Sequence, residues 1–176
     1  MPISAQRTLW AERDLRWAQQ VHRAAQYRAL VGLLRGVSWL GDGALWYLVI
    51  VALALAGGTD GRDIAAQMVL LGAANLTLYL WVKGRIGRPR PFVECPDIRA
   101  CGLALDQFSF PSGHVLHATA FSSLLGFYYP AALWALVPAA LLIALSRVAL
   151  GLHYPSDVAA GAAIGSVTAT LLLSLY

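Results

Sequence analysis

Charge is what this chain has least of. Only 12% of its 176 residues are Asp, Glu, Lys or Arg, against 59% hydrophobic, and the mean hydropathy is +0.61. Such a balance excludes an ordinary soluble domain and implies an integral membrane protein. A cleavable signal is also missing: MPISAQRTLWAERDLRWAQQ has no apolar core followed by small residues, so the spans themselves are expected to direct insertion. The sequence offers neither an acidic cluster nor a Cys/His ligand set, and no metal or other cofactor is expected. The basic residues behind the net charge of +4 are nearly all arginines close to predicted membrane edges, with no basic stripe interleaved with aromatics. That argues against a nucleic-acid partner and for anionic headgroups or a phosphorylated substrate. Repeats, low-complexity tracts and a second domain are absent.

What is present is apolar length. Five stretches approach the roughly 20 residues needed to cross a hydrocarbon core: Trp39 to Ala56, Ile64 to Val82, His114 to Tyr129, Ala131 to Leu150 and Val158 to Tyr176. Gly57, Gly58 and Gly61 separate the first two, and Pro130 separates the third from the fourth. Leu9 to Leu34 mixes Trp10, Trp17, Val21, Tyr27 and Leu30 with Arg13, Arg16, Arg23 and Arg28, and is expected to lie on the membrane surface as an amphipathic helix. The expected fold is all-α: a polytopic transmembrane bundle of about five spans in one domain, 1–176. Residues 1–38 form its interfacial segment and 39–176 its membrane core.

Alternating spans carry the polar residues to one end. Lys83, Arg85, Arg88, Arg90, His114, Arg147, His153 and Asp157 all emerge on the face that also receives the N-terminal segment. Taken singly, each suits a snorkelling anchor or a helix end. Eight on one face, from three separate segments, argue for a site. Lysine and arginines with no matching carboxylates make an anion pocket, and the planar fork of arginine suits phosphate oxygens. In FPSGHVLHATAF, Ser112 is expected to cap a helix and Gly113 to allow close backbone approach, so that the helix start favours an oxyanion. In HYPSDVAAG, Pro155 sits near a first helical turn. Asp157, four residues after His153, is expected to bond one imidazole nitrogen and leave the other free to attack, while His114 supplies a proton to the leaving group.

KGRIGRPRP (Lys83 to Pro91), PSGH (Pro111 to His114) and SRVALGLHYPSD (Ser146 to Asp157) resemble the three signature motifs of the type 2 phosphatidic acid phosphatase (PAP2) superfamily. All eleven specified positions match in order. The resemblance implies that His153 attacks phosphorus to form a phosphohistidine, that Asp157 orients it, and that His114 is first the acid and then the base that activates water. Lys83, Arg90, Ser112, Gly113 and Arg147 would hold the phosphoryl oxygens, without metal. Arg85 and Arg88 fall between motif positions and read as headgroup contacts or surface anchors.

The implied activity is hydrolysis of a lipid phosphate or diphosphate: a polyprenyl diphosphate, phosphatidylglycerophosphate, phosphatidate or a phosphorylated polyprenyl sugar. A lipid phosphotransferase and a non-enzymatic lipid-phosphate-binding protein remain open beside it. Localisation follows as a multi-pass cell-membrane protein. Among the 13 Lys and Arg residues only Arg62 falls opposite the site, so the positive-inside bias points to a cytoplasmic active face. Most bacterial members of the family resemble one another in having a periplasmic one, and a disulfide between Cys95 and Cys101 would favour that alternative. His117 is expected to pack within the bundle, His22 to lie on a solvated face, and Gly161 and Gly165 to make a close helix contact.

Overall fold

The computed structural model describes residues 9–176, and these are helical with no strand among them. The amphipathic α1 (Leu9–His22) turns its Asp14, Ala18 and His22 face inward and leaves Leu9, Trp10 and Trp17 exposed. A 3₁₀ turn, Arg23–Gln26, leads into α2 (Arg28–Trp39), which continues through a π-helical segment, Leu40–Ala44, into α3 (Leu45–Ala56). Gly43 has φ 124° at the kink, a conformation open to glycine and strained for other residues.

The first span therefore begins at Arg28 rather than Trp39, and the expected surface segment Leu9 to Leu34 is divided between α1 and this span. The arginines that suggested an interfacial helix, Arg13, Arg16, Arg23 and Arg28, stay exposed, and further along the span Arg35 Nε donates to the Cys101 carbonyl.

The remaining helices are α4 (Gly58–Ile86), the single turn α5 (Pro91–Glu94), α6 (Gly113–Tyr128), α7 (Leu133–Ala149) and α8 (Pro155–Leu173). Four stretches are long and apolar enough to cross a membrane: Arg28–Ala56, Gly58–Ile86, Pro130–Ala149 and Pro155–Leu173. The fifth expected span is α6, which has 16 residues and is buried along most of its length against its neighbours. It passes through the middle of the bundle.

Its contact with α8 is the closest in the molecule. A Cβ on Gly161 would meet the Ser112 carbonyl oxygen at 2.6 Å, and one on Gly165 would meet the Leu116 carbonyl oxygen at 2.2 Å. The small-residue face thus serves packing within the chain. The main core gathers Met68 and Leu71 of α4, Phe121 and Leu124 of α6, Ile143 of α7 and Ala169 of α8. Leu48, Val51, Leu55, Leu70, Leu141 and Leu171 point outward and stay exposed, as a lipid-facing surface requires.

Candidate active site

Three local devices bring the motif residues together. Lys83 stands on the last turns of α4, which ends at Gly87 in the left-handed region, φ 61°. The chain then turns through Arg88 and Pro89, and Arg90 caps α5 with Pro91 in its first turn. Ser112 and Tyr154 stand at the N-caps of α6 and α8, and the Ser112 amide donates to the Asp157 carbonyl at 3.0 Å, tying the two helix starts together. Ser112 occupies the expected position, yet its Oγ makes no cap bond. The α8 start is instead closed by Asp157, whose Oδ2 accepts the Tyr154 amide at 2.8 Å.

His153 lies in the turn between α7 and α8, fully enclosed, its amide donating to the Arg147 carbonyl at 3.1 Å. Its Nδ1 is 2.7 Å from the Ser109 carbonyl oxygen, whereas Asp157 Oδ2 is 3.6 Å away. The expected Asp157 bond is therefore taken by the Ser109 carbonyl. A carbonyl only accepts, so Nδ1 carries the proton and Nε2 the lone pair, toward which Arg90 Nη1 donates at 3.4 Å. Burial first, then the cationic Arg147, Arg90 and Lys83, pushes the His153 pKa well below its usual 6.5. The ring is neutral, with its lone pair on Nε2.

The cations are less bare than their sequence suggests. Asp106, in the loop before α6, accepts from Lys83 Nζ at 2.6 Å through Oδ2 and from Arg90 Nη2 at 3.0 Å through Oδ1. Burial alone would raise the Asp106 pKa, but the bonds and charges of Lys83 and Arg90 outweigh it and hold the carboxyl below its usual range. Arg90 is further fixed by the carbonyls of Asp106 and Leu152. Arg147, buried at the end of α7, donates from Nη1 to Ser38 Oγ, while its Nε and the Ser112 Oγ have no partner among the described residues. Buried donors left unpaired cost stability, and near an anion site they fit an oxyanion.

His114 opens α6 with Nε2 3.3 Å from Asp42 Oδ1. Lys83, Arg90, His114, Arg147 and His153 line one cavity of about 410 Å³ together with Asp42, Asp106 and Gly113. The same cavity continues along α3, α4 and α6 between Trp46, Ile50, Met68, Val69 and Phe121, so it is polar at one end and apolar at the other. Asp157 and Ser112 stand behind its wall.

Four expectations are corrected here. Arg88 is neither headgroup contact nor surface anchor: its Nη1 donates to Asp157 Oδ1 at 2.8 Å and its Nη2 to Asp14 Oδ2 at 2.7 Å. His22 is buried, with Nδ1 2.9 Å from the Ala149 carbonyl oxygen. The anion pocket does hold a matching carboxylate, Asp106. The orienting partner of His153 is Ser109. Asp14, Asp42 and Asp106 were missed because each lies outside the three motifs. In contrast, His117 packs in the bundle as expected, with both ring nitrogens on carbonyl oxygens of Gly113 and Gly72. Cys95 and Cys101 are separate buried thiols.

Comparison with known proteins meets this geometry. The sequence model of the PAP2 superfamily matches residues 43–176. The chain is 31% identical over 151 residues to the decaprenylphosphoryl-5-phosphoribose phosphatase of Mycobacterium tuberculosis, covering 83% of this chain and 80% of that protein. It is 32% identical over 126 residues to the undecaprenyl-diphosphatase BcrC of Bacillus subtilis, covering 72% and 62%. Among solved structures it is similar in fold to LpxE of Aquifex aeolicus, with a TM-score of 0.79 at 24% identity over 91% of this chain and 94% of that one.

Proposed function

Since the chain belongs to the PAP2 superfamily, we propose that it is a lipid phosphatase that removes phosphate from a polyprenyl-linked phosphate or diphosphate through a phosphohistidine at His153. The observation that carries this reading is the cavity: a neutral, enclosed His153 presents Nε2 among Lys83, Arg90 and Arg147, and the space beyond continues between apolar side chains. An amphiphile with a phosphorylated head fits both ends.

In the proposed reaction the Nε2 lone pair attacks phosphorus and the bond to the leaving oxygen breaks, its electron pair staying on that oxygen. His114 gives that oxygen a proton. The same histidine then takes a proton from water as the water oxygen attacks phosphorus, the P–N bond breaks and His153 is restored. Lys83, Arg90, Arg147, the Ser112 hydroxyl and the Gly113 amide would hold the equatorial oxygens, where preorganised charge matters most. The Ser109 carbonyl would keep the imidazole oriented, and Asp157 would hold the start of α8 behind it. No metal takes part in these proposed steps.

The prenyl assignment rests on the relatives of broadest coverage, whose substrates carry decaprenyl and undecaprenyl chains. For orientation, the arginine asymmetry supports a cytoplasmic active face in the cell membrane. The test is phosphate release by detergent-solubilised protein in EDTA from undecaprenyl diphosphate, phosphorylated polyprenyl sugar, phosphatidylglycerophosphate and phosphatidate. Preferred release from the two prenyl lipids is expected. Preference for either glycerophospholipid would overturn the substrate assignment, and release from none would overturn the hydrolase reading.

A further inference from the structure

The helix α1 reaches the active site through a residue that no motif marks and that lies outside residues 43–176 covered by the superfamily's sequence model. Asp14 is 7% exposed although α1 lies on the outside of the bundle. A buried carboxylate is costly unless bonded, and this one is bonded three times. Its Oδ2 is 2.7 Å from Arg88 Nη2, its Oδ1 accepts the Ser156 amide at 3.0 Å, and Ser156 Oγ also donates to Oδ2.

Arg88 carries the connection inward. Its Nη1 donates to Asp157 Oδ1 at 2.8 Å and to Ser156 Oγ at 2.7 Å, and its guanidinium lies 3.8 Å from the Tyr154 ring centroid. Asp157 is fully enclosed, and among the described residues Arg88 is the only Lys or Arg within ion-pair distance of it. One arm of the arginine fork therefore serves each carboxylate, an arrangement that a rigid planar group allows. Asp14 grips the two pieces that meet behind His153: the α4–α5 connection through Arg88 and the first turn of α8 through Ser156.

We infer that Asp14 is a positioning residue of the active site, fixing Arg88 and the start of α8 so that Asp157 and His153 hold their working geometry. The inference rests on the reading of His153 as nucleophile. Without the Asp14 carboxylate, Nη2 of Arg88 loses its partner on a side chain that is 23% exposed and free to swing, and the Ser156 amide loses its acceptor. Small misplacements of a reacting group cost rate steeply, on the order of a hundredfold per ångström. Substrate binding should be spared, because Asp14 touches none of Lys83, Arg90 and Arg147.

The test compares full-length wild type, Asp14→Asn, Arg88→Lys, the double variant and His153→Ala in detergent micelles, with farnesyl diphosphate and dioleoyl phosphatidate as probes. For Asp14→Asn the expectation is a fall in kcat of at least about tenfold, with KM within about twofold and an unchanged melting temperature. The double variant should be no slower than Arg88→Lys, because both act through one chain of contacts. A kcat near that of wild type, or losses that multiply in the double variant, would overturn the inference. Should Asp14→Asn not fold, Arg88→Lys keeps the question open to refutation: lysine cannot serve both carboxylates, so an unchanged kcat there sinks the idea. Full turnover in His153→Ala, or no turnover of either probe by wild type, would bring down the nucleophile reading itself. An inactive His153→Ala beside a normal Asp14→Asn removes only the role of Asp14.

Discussion

His153 has two properties that can be measured apart. Its Nδ1–H points at the Ser109 carbonyl, which leaves Nε2 as the reactive atom, and its pKa is held well below 6.5 by burial and by three cations. The acid limb of kcat/KM assigned to this group should therefore lie well below pH 6.5; a limb at or above that value would contradict the assignment. Linkage gives the matching sign for stability. Between pH 6.5 and the lower folded-state pKa the unfolded chain binds a proton that the folded chain refuses, so this residue makes the melting temperature fall as pH is lowered through that window. If Arg90 and Arg147 hold the phosphoryl oxygens as proposed, replacing either by alanine should lower kcat roughly 100- to 1,000-fold, as loss of one preorganised donor does, which steady-state phosphate release will show. The motif residues were legible because their types and spacings are fixed by chemistry. Asp106 was not: it lies in an irregular loop between Cys95 and Phe110, and only the folded chain sets it on Lys83 and Arg90.

The crossing of α6 and α8 holds the two histidines to one cavity, since His114 opens α6 and His153 immediately precedes α8. Gly165 permits the contact, and a methyl there would sit 2.2 Å from the Leu116 carbonyl oxygen and 2.3 Å from Thr119 Oγ1. Gly165→Ala should destabilise the protein by about 1–3 kcal/mol, the usual cost of overpacking, with a lower melting temperature and reduced kcat. Wild-type values for both would show that the helices yield without consequence. The Gly161-x3-Gly165 pattern was readable because close helix packing in membranes demands small residues at that spacing. The start of the first span was not readable: Arg28 and Arg35 depress its hydropathy, and only the folded chain sets Arg35 on the Cys101 carbonyl. The division of the N-terminal segment at the 3₁₀ turn Arg23–Gln26 likewise has no strong breaker in the sequence, which offers neither Gly nor Pro there.

At the scale of the whole molecule, charge and apolar surface divide the chain into a wet end and a lipid-facing barrel. The described chain passes five times between the ends when α6 is counted, which sets α1 with the site and the end of α8 opposite. With the site facing the cytoplasm, a C-terminal alkaline phosphatase fusion should be active in a bacterial host and a fusion after α1 inactive; the reverse pattern would place the site outside. The apolar extension of the cavity suits an amphiphile, and in the proposed reaction its phosphate passes through His153. The most direct measurement is to mix solubilised protein with ³²P-labelled undecaprenyl diphosphate in EDTA, quench in base and look for protein-bound label. A phosphohistidine at His153 gives a base-stable, acid-labile label in wild type that is absent from His153→Ala. Label that persists in that variant, or turnover by it at the wild-type rate, would contradict it.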